Sequence, residues 1–277
     1  MDTRLIFLDI DGTLTEPGSN IPPVSAQEAV RRARANGHKV ILCSGRNYGM
    51  LSPLLQYGFD GLVGSAGGYI EYDGKVVYDC PMTPEQQNKV LSVFEESGIY
   101  RTVESKTGSY TDEGFKVFLR ENARSNGNSE LLRWREQLEK DLGIRPMAEY
   151  RGEPVYKIGF VCRNAEDLRE PMRMLGDSFE FCIQGTDEWG GINGELINKA
   201  FNKGMAVERL CGYLGATVED TIAFGDSMND AAMLERAGVS VAMGNACDEL
   251  KALADVVCED VAHDGVSLEL RRMGLCG

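Results

Sequence analysis

The chain has 277 residues, of which 43% are hydrophobic, 26% charged and 8% aromatic, an ordinary globular balance with room for one sizeable core and a second, smaller one. No window approaches the run of about 18 apolar residues that a membrane span needs, and a formal net charge of −14 with no basic stripe argues against a nucleic-acid or anionic-lipid partner. The eight cysteines show neither a CxxC pair nor regular spacing, which excludes a disulfide framework or a zinc site and leaves buried, reduced thiols.

The N-terminus, Met1-Asp2-Thr3-Arg4, runs straight into a strand pattern without a secretory signature, so the expected location is the cytoplasm. Leu5-Ile6-Phe7-Leu8 is a continuous apolar run, as expected of a strand buried on both faces. Asp9 and Asp11 follow it. Residues i and i+2 of a strand share a face, so the two carboxylates project together where open parallel sheets bind ligands. They cannot comfortably both be charged unless a cation lies beside them. Gly12 permits a sharp turn, and Thr13 offers a hydroxyl and a backbone donor.

Ser25-Ala26-Gln27-Glu28 has the form of a capping box, opening a helix that ends near Asn36-Gly37. Val40-Ile41-Leu42-Cys43 is the next buried strand, and strand, helix and strand in this order imply a right-handed parallel unit. Ser44-Gly45-Arg46 then offers a hydroxyl, a glycine allowing close backbone approach and a cation, a reasonable phosphate cradle. Leu62-Val63 and a hairpin from Tyr69 to Tyr78, turning at Asp73-Gly74, follow.

The style changes near Pro81. Thr83-Pro84-Glu85-Gln86 reads as an N-cap, a first-turn proline and a capping-box glutamine, starting a helix that runs to Ser97-Gly98. From there to residue 194 the chain is richer in charge and its strands alternate. Val155 to Val161 and Phe179 to Ile183 are expected strands, with helices near 130–142 and 165–175.

Buried α/β patterning returns after Glu195. Lys203-Gly204 opens a helix over roughly 203–214, where ammonium and helix dipole could both face an anion. Thr221 to Phe224 is an apolar strand stopped by Gly225-Asp226, which adds a third carboxylate at a strand end. This oxygen-rich set suits Mg²⁺ far better than zinc. Val239 to Met243 and Val256 to Cys258 complete the pattern. The expected fold class is α/β: a Rossmann-like, doubly wound parallel sheet core (1–81 and 195–277) with an inserted α+β cap domain (82–194).

Four segments, Asp9-Ile10-Asp11-Gly12-Thr13-Leu14, Ser44-Gly45-Arg46, Lys203-Gly204 and Gly225-Asp226-Ser227-Met228-Asn229-Asp230, resemble in order the four motifs of the haloacid dehalogenase superfamily. The Cof-type branch is the most similar, and Glu195-Leu196-Ile197 and Asp264-Gly265-Val266 resemble it too. The resemblance implies an Mg²⁺-dependent phosphatase acting on small phosphorylated metabolites. It implies Asp9 as nucleophile, Asp11 as acid–base, and Mg²⁺ held by Asp9, the Asp11 carbonyl and Asp226. Gly12, Thr13, Ser44, Gly45, Arg46, Lys203 and Asn229 would contact the phosphate or substrate, and Asp230 would support Lys203 or the metal waters.

Ala66-Gly67-Gly68 departs from the branch, which usually reads Asn-Gly-Ala there, and Asn198 and Ala200 replace a frequent proline and glycine. Thr13 to Ser25 leaves no room for a domain, whereas Arg46 to Lys203 does, so the cap is of the Cof type rather than the β-phosphoglucomutase type. A phosphomannomutase-like phosphohexomutase and a non-catalytic phosphosugar sensor are the rival readings. Trp134 and Trp189 are expected to pack the cap, His38 and His263 to lie outside the site, and Cys43 to belong to the core. Arg101, Arg120 and Lys157 are read by default as surface charge.

Overall fold

A computed structural model describes residues 3–122, 144–186 and 191–277. The chain divides into two compact units, residues 1–79 with 201–277, and residues 80–200. No helix among the described residues is long and apolar enough to cross a membrane.

The first unit is built on an eight-stranded sheet. Its strands are β1 (Leu5–Leu8), β2 (Lys39–Cys43), β3 (Gly61–Gly64), β4 (Tyr69–Tyr72) and β5 (Lys75–Asp79), then β12 (Thr221–Gly225), β13 (Val239–Ala242) and β14 (Val256–Val257). Their order is β14-β13-β12-β1-β2-β3-β4-β5. The six strands from β14 to β3 run parallel, and β4 and β5 add an antiparallel hairpin. The hairpin turns through Asp73 and Gly74, both at positive φ, as a two-residue turn of matching twist requires. Every residue of β1 is buried because a central parallel strand is covered on both faces. The chain winds outward from β1 through β2 to β3 and, after the insertion, from β12 to β14 on the other side. The direction of winding reverses between β1 and β12, the switch point at which open α/β sheets bind ligands.

Local chemistry departs from expectation at the first helix, Val24–Ala35. Ser25 does not cap it: Pro23 occupies the cap position without a side-chain bond. Pro22-Pro23 already deliver the chain in an extended conformation, and the Ser25 hydroxyl is drawn to Asp264, while Glu28 pairs with Arg31 and Arg32. The box at Thr83 is complete: Gln86 N–H donates to Thr83 Oγ1 at 3.2 Å, and Thr83 N–H to Gln86 Oε1 at 3.0 Å.

Among the described residues, the second unit carries a six-stranded sheet. Its strands, β6 (Tyr100–Ser105), β7 (Ser109–Thr111), β8 (Ile144–Pro146), β9 (Val155–Cys162), β10 (Phe179–Thr186) and β11 (Ile192–Asn198), are ordered β10-β11-β9-β6-β7-β8. One face packs Val103, Ile158, Phe160 and Leu196 against Val90 and Phe94 of the helix Pro84–Glu96 and Leu175 of the helix Arg169–Leu175. Register places Glu104 opposite Lys157, and Glu195 opposite Gly159, on the other face. Lys157 is therefore no surface charge. It is fully buried, 3.2 Å from Glu104 and ion-paired with Glu195. Arg101, half-buried, pairs with Asp112 at 2.9 Å.

The boundary expected between 194 and 195 falls inside β11, whose pairing with β9 and β10 keeps the chain in the second unit through Ala200. Glu195-Leu196-Ile197 is thus the middle of a strand of the second unit and not the return to the first. Trp134, Trp189 and the helix expected near 130–142 lie outside the described residues, as does the Arg120 side chain.

Candidate active site

Asp9 continues β1 by one residue, its N–H donating to Phe224 O of β12 at 3.0 Å. Asp226 is the first residue beyond β12. Both carboxylates therefore emerge side by side at the switch point. Carboxylate oxygens of Asp9, Asp226 and Asp230 lie within 4.8 Å of one another, and all three residues are buried. Gly12, at φ +85°, makes this approach possible: a Cβ there would sit 2.3 Å from Asp226 Oδ2. The Thr13 hydroxyl reaches Asp226 Oδ1 at 3.4 Å.

Lys203 is the first residue of the helix Lys203–Leu214, whose N-cap, Asn202, accepts from Met205 N–H at 2.8 Å. Its ammonium donates to Asp9 Oδ1 at 2.7 Å and Asp230 Oδ1 at 2.5 Å, with Asn229 Oδ1 at 3.4 Å. The other Asp230 oxygen accepts from the N–H groups of Asp226 and Ser227, fixing the turn after β12. Gly225 admits this carboxylate, since a Cβ there would lie 2.5 Å from Asp230 Cβ. Asn229 is the exposed member of the group.

Three carboxylates thus face one ammonium in a buried space. Burial first, then Asp230, pushes the Asp9 carboxyl up to about 8 against the opposing pull of Lys203. Burial, then Asp9 and Asp230, pushes Asp226 up to about 9. For Lys203 burial disfavours the charge, but Asp230 and Asp9 outweigh it and hold the ammonium well above its usual range. An all-oxygen donor set with this excess of negative charge fits a hard divalent cation such as Mg²⁺.

Asp11 stands apart from that cluster. Its Oδ1 accepts from Arg46 Nη2 at 2.6 Å and Gly18 N–H at 2.7 Å, and its Oδ2 from Arg46 Nε at 2.8 Å. Arg46, expected on the phosphate, is instead committed to a carboxylate, because a guanidinium fork matches a carboxylate edge. Ser44 is the first residue beyond β2: its hydroxyl accepts from Arg46 N–H at 3.2 Å, its N–H donates to Val63 O, and buried Gly45 separates it from Arg46.

Several supporting residues carried no signal that sequence reasoning used. Asn245 Nδ2 donates to Gly12 O at 2.8 Å while its Oδ1 accepts from Val261 N–H at 3.1 Å, tying the Asp9–Thr13 loop to a distant turn. Ser65, Ala66 and Gly67 all have positive φ, and a Cβ on Gly67 would lie 2.5 Å from Asn202 O. The displaced family asparagine at this stretch was the available hint. His38 accepts from Arg4 N–H at 3.1 Å, far along the sheet, and burial lowers its proton affinity. Burial raises the Cys43 thiol far above its ordinary range, so it is no nucleophile.

A family model described as haloacid dehalogenase-like hydrolase matches residues 6–270. Phosphatase YwpJ of Bacillus subtilis (strain 168) is 28% identical over 298 residues, spanning 98% of this chain and 99% of that one. Pyridoxal phosphate phosphatase YbhA of Escherichia coli (strain K12) is 28% identical over 277 residues, spanning 96% and 97%. A crystal structure of a haloacid dehalogenase-like hydrolase from B. subtilis superposes with a TM-score of 0.78 at 25% identity, covering 98% of this chain and all of that one.

Proposed function

The chain belongs to the haloacid dehalogenase-like hydrolases, and from that membership we propose that it is a phosphatase that dephosphorylates small metabolites through an aspartyl-phosphate on Asp9. The observation that carries the proposal is the separation of two carboxylates at one strand end. Asp9 is held by Lys203 within the acidic cluster, and Asp11, two residues on, by a different cation. Such a pair of environments assigns different roles to chemically identical groups.

An Asp9 carboxylate oxygen attacks the substrate phosphorus, and the ester P–O bond breaks as Asp11 gives its proton to the departing oxygen. Asp11, now ionised, takes a proton from water; the oxygen attacks phosphorus, the bond to Asp9 breaks, and phosphate leaves. Lys203 keeps Asp9 oriented and offsets its charge, and with Ser44, Thr13, Asn229 and the backbone N–H of Gly45 supplies donors for phosphoryl oxygens; the Gly12 N–H, expected among them, is taken by Thr15 O at 2.8 Å. Mg²⁺, held by Asp9, Asp226 and the Asp11 carbonyl, would shield nucleophile and phosphate from mutual repulsion. It would also help an anionic substrate to enter a chain of net charge −14.

The second unit is proposed as the cap that selects the substrate. Pyridoxal phosphate, the substrate named for YbhA, belongs in the first panel to be tried, beside sugar phosphates. Eight free thiols suit a reducing compartment, the cytoplasm. The test is phosphate release from a panel of phosphorylated metabolites with Mg²⁺, monitored alongside hexose-phosphate isomer formation. Release that vanishes in Asp9→Asn is expected. Isomer formation without release would favour the mutase, and retained ligand binding with no turnover of any ester would favour a sensor.

A further inference from the structure

The loop after the first motif, Glu16 to Asn20, is too short for a domain, yet it is organised around one side chain. Arg46 is 1% exposed, and its guanidinium spans from Asp11 to this loop. Nε and Nη2 engage both oxygens of Asp11, Nη2 also donates to Ser19 O at 3.0 Å, and Nη1 donates to Asn20 Oδ1 at 2.6 Å. The Gly18 N–H, presented by a backbone at φ +78°, completes the grip on Asp11 Oδ1. The carboxylate is therefore fixed from two sides by groups that are themselves fixed.

We propose that Arg46, braced by Asn20 and the Gly18–Asn20 loop, is a positioning residue that acts on the reaction through Asp11 and does not bind the phosphate. This rests on the reading of Asp11 as the acid–base group. A side chain on a strand-end loop has rotamer freedom, and a proton donor must lie within hydrogen-bond reach of the departing oxygen. A bidentate fork removes that freedom without contacting the substrate. A lysine would keep the charge but not the fork.

The experiment is a double-mutant cycle of Arg46→Gln and Asp11→Asn, reading kcat/KM with p-nitrophenyl phosphate and competitive inhibition by inorganic phosphate. In the parent, Arg46→Gln is expected to lower kcat/KM by about tenfold or more, while inhibition by phosphate changes by no more than about twofold. In the Asp11→Asn background the same change is expected to cost less than about twofold, because its route of action is gone. An equal loss in both backgrounds, or phosphate inhibition weakened by about tenfold, would overturn the proposal and make Arg46 a phosphate ligand. Arg46→Lys should stay as depressed as Arg46→Gln; full recovery would show that charge alone suffices and would also overturn it.

Asn20→Ala, at a half-buried position, gives a second reading that does not depend on the folding of the Arg46 variants. It should lower kcat/KM in the parent and not in Asp11→Asn, and an unchanged parent value would contradict the brace. If Asp11→Asn itself kept full activity, the acid–base reading would fall, an outcome distinct from failure of the Arg46 proposal.

Discussion

At the scale of single residues, Lys203 governs the electrostatics of the site. It is 2% exposed, and its ammonium lies between two buried carboxylates. Removing one partner from such a cluster leaves uncompensated charge. Lys203→Met is expected to cost about 3–5 kcal/mol of stability in metal-free protein, by the general magnitude for breaking a buried ion pair. Denaturant unfolding in the presence of EDTA measures this. A variant as stable as the parent would mean that the buried carboxylates do not depend on this ammonium for their stability. Lys203→Arg should not restore activity, since a planar guanidinium cannot occupy the point where one nitrogen meets both carboxylates.

At the scale of elements, two glycines bring the strand ends and the helix start together. Gly12 has a positive φ and no space for a Cβ beside Asp226, and Gly67 meets the same two conditions beside Asn202, immediately before Lys203. Alanine at either position must shift a neighbour that carries a site residue. Gly67→Ala is expected to lower both the melting temperature and kcat, because the Asn202 backbone that must move begins the helix bearing Lys203. Melting curves and phosphate-release rates read this, and an unperturbed kcat would show that the helix start is not positioned by this turn. Asn245→Ala should act more mildly, slowing turnover with little change in stability, since it frees only Gly12 O and Val261 N–H.

Elements also show what the sequence made legible. Asp9, Asp226 and Lys203 could be placed because each follows a buried apolar strand or opens a helix, and local pattern determines such positions. The Arg46–Asp11 pair and the Asn245 tether join residues 35 and 233 positions apart, and no local signal encodes such partners. Lys157 misled for a related reason: a lysine in an alternating strand reads as solvated until its partners, Glu104 and Glu195, come from two other strands.

For the whole molecule, pH, metal and stability are linked through the acidic cluster. Burial raises the carboxyls of Asp9 and Asp226 from the ordinary carboxylate range to about 8 and about 9, so the folded state binds protons there that the unfolded chain releases. Their contribution to stability is therefore fully present at pH below the ordinary carboxylate range and is lost as pH rises toward 8 or 9. A divalent cation needs the ionised ligands and replaces those protons, so its stabilisation should grow over the same interval. The upward shift in melting temperature on adding Mg²⁺ to EDTA-treated protein is expected to be small at pH 5 and largest near pH 8. A shift independent of pH would place the metal elsewhere. The most direct test of the proposed chemistry is the intact mass of the full chain, acid-quenched during turnover of a good substrate with Mg²⁺. One phosphoryl group per chain, mapping to the peptide that contains Asp9 and absent from Asp9→Asn, is the predicted result. Rapid turnover with no phosphoryl adduct in that peptide, or an adduct that persists in Asp9→Asn, would contradict it.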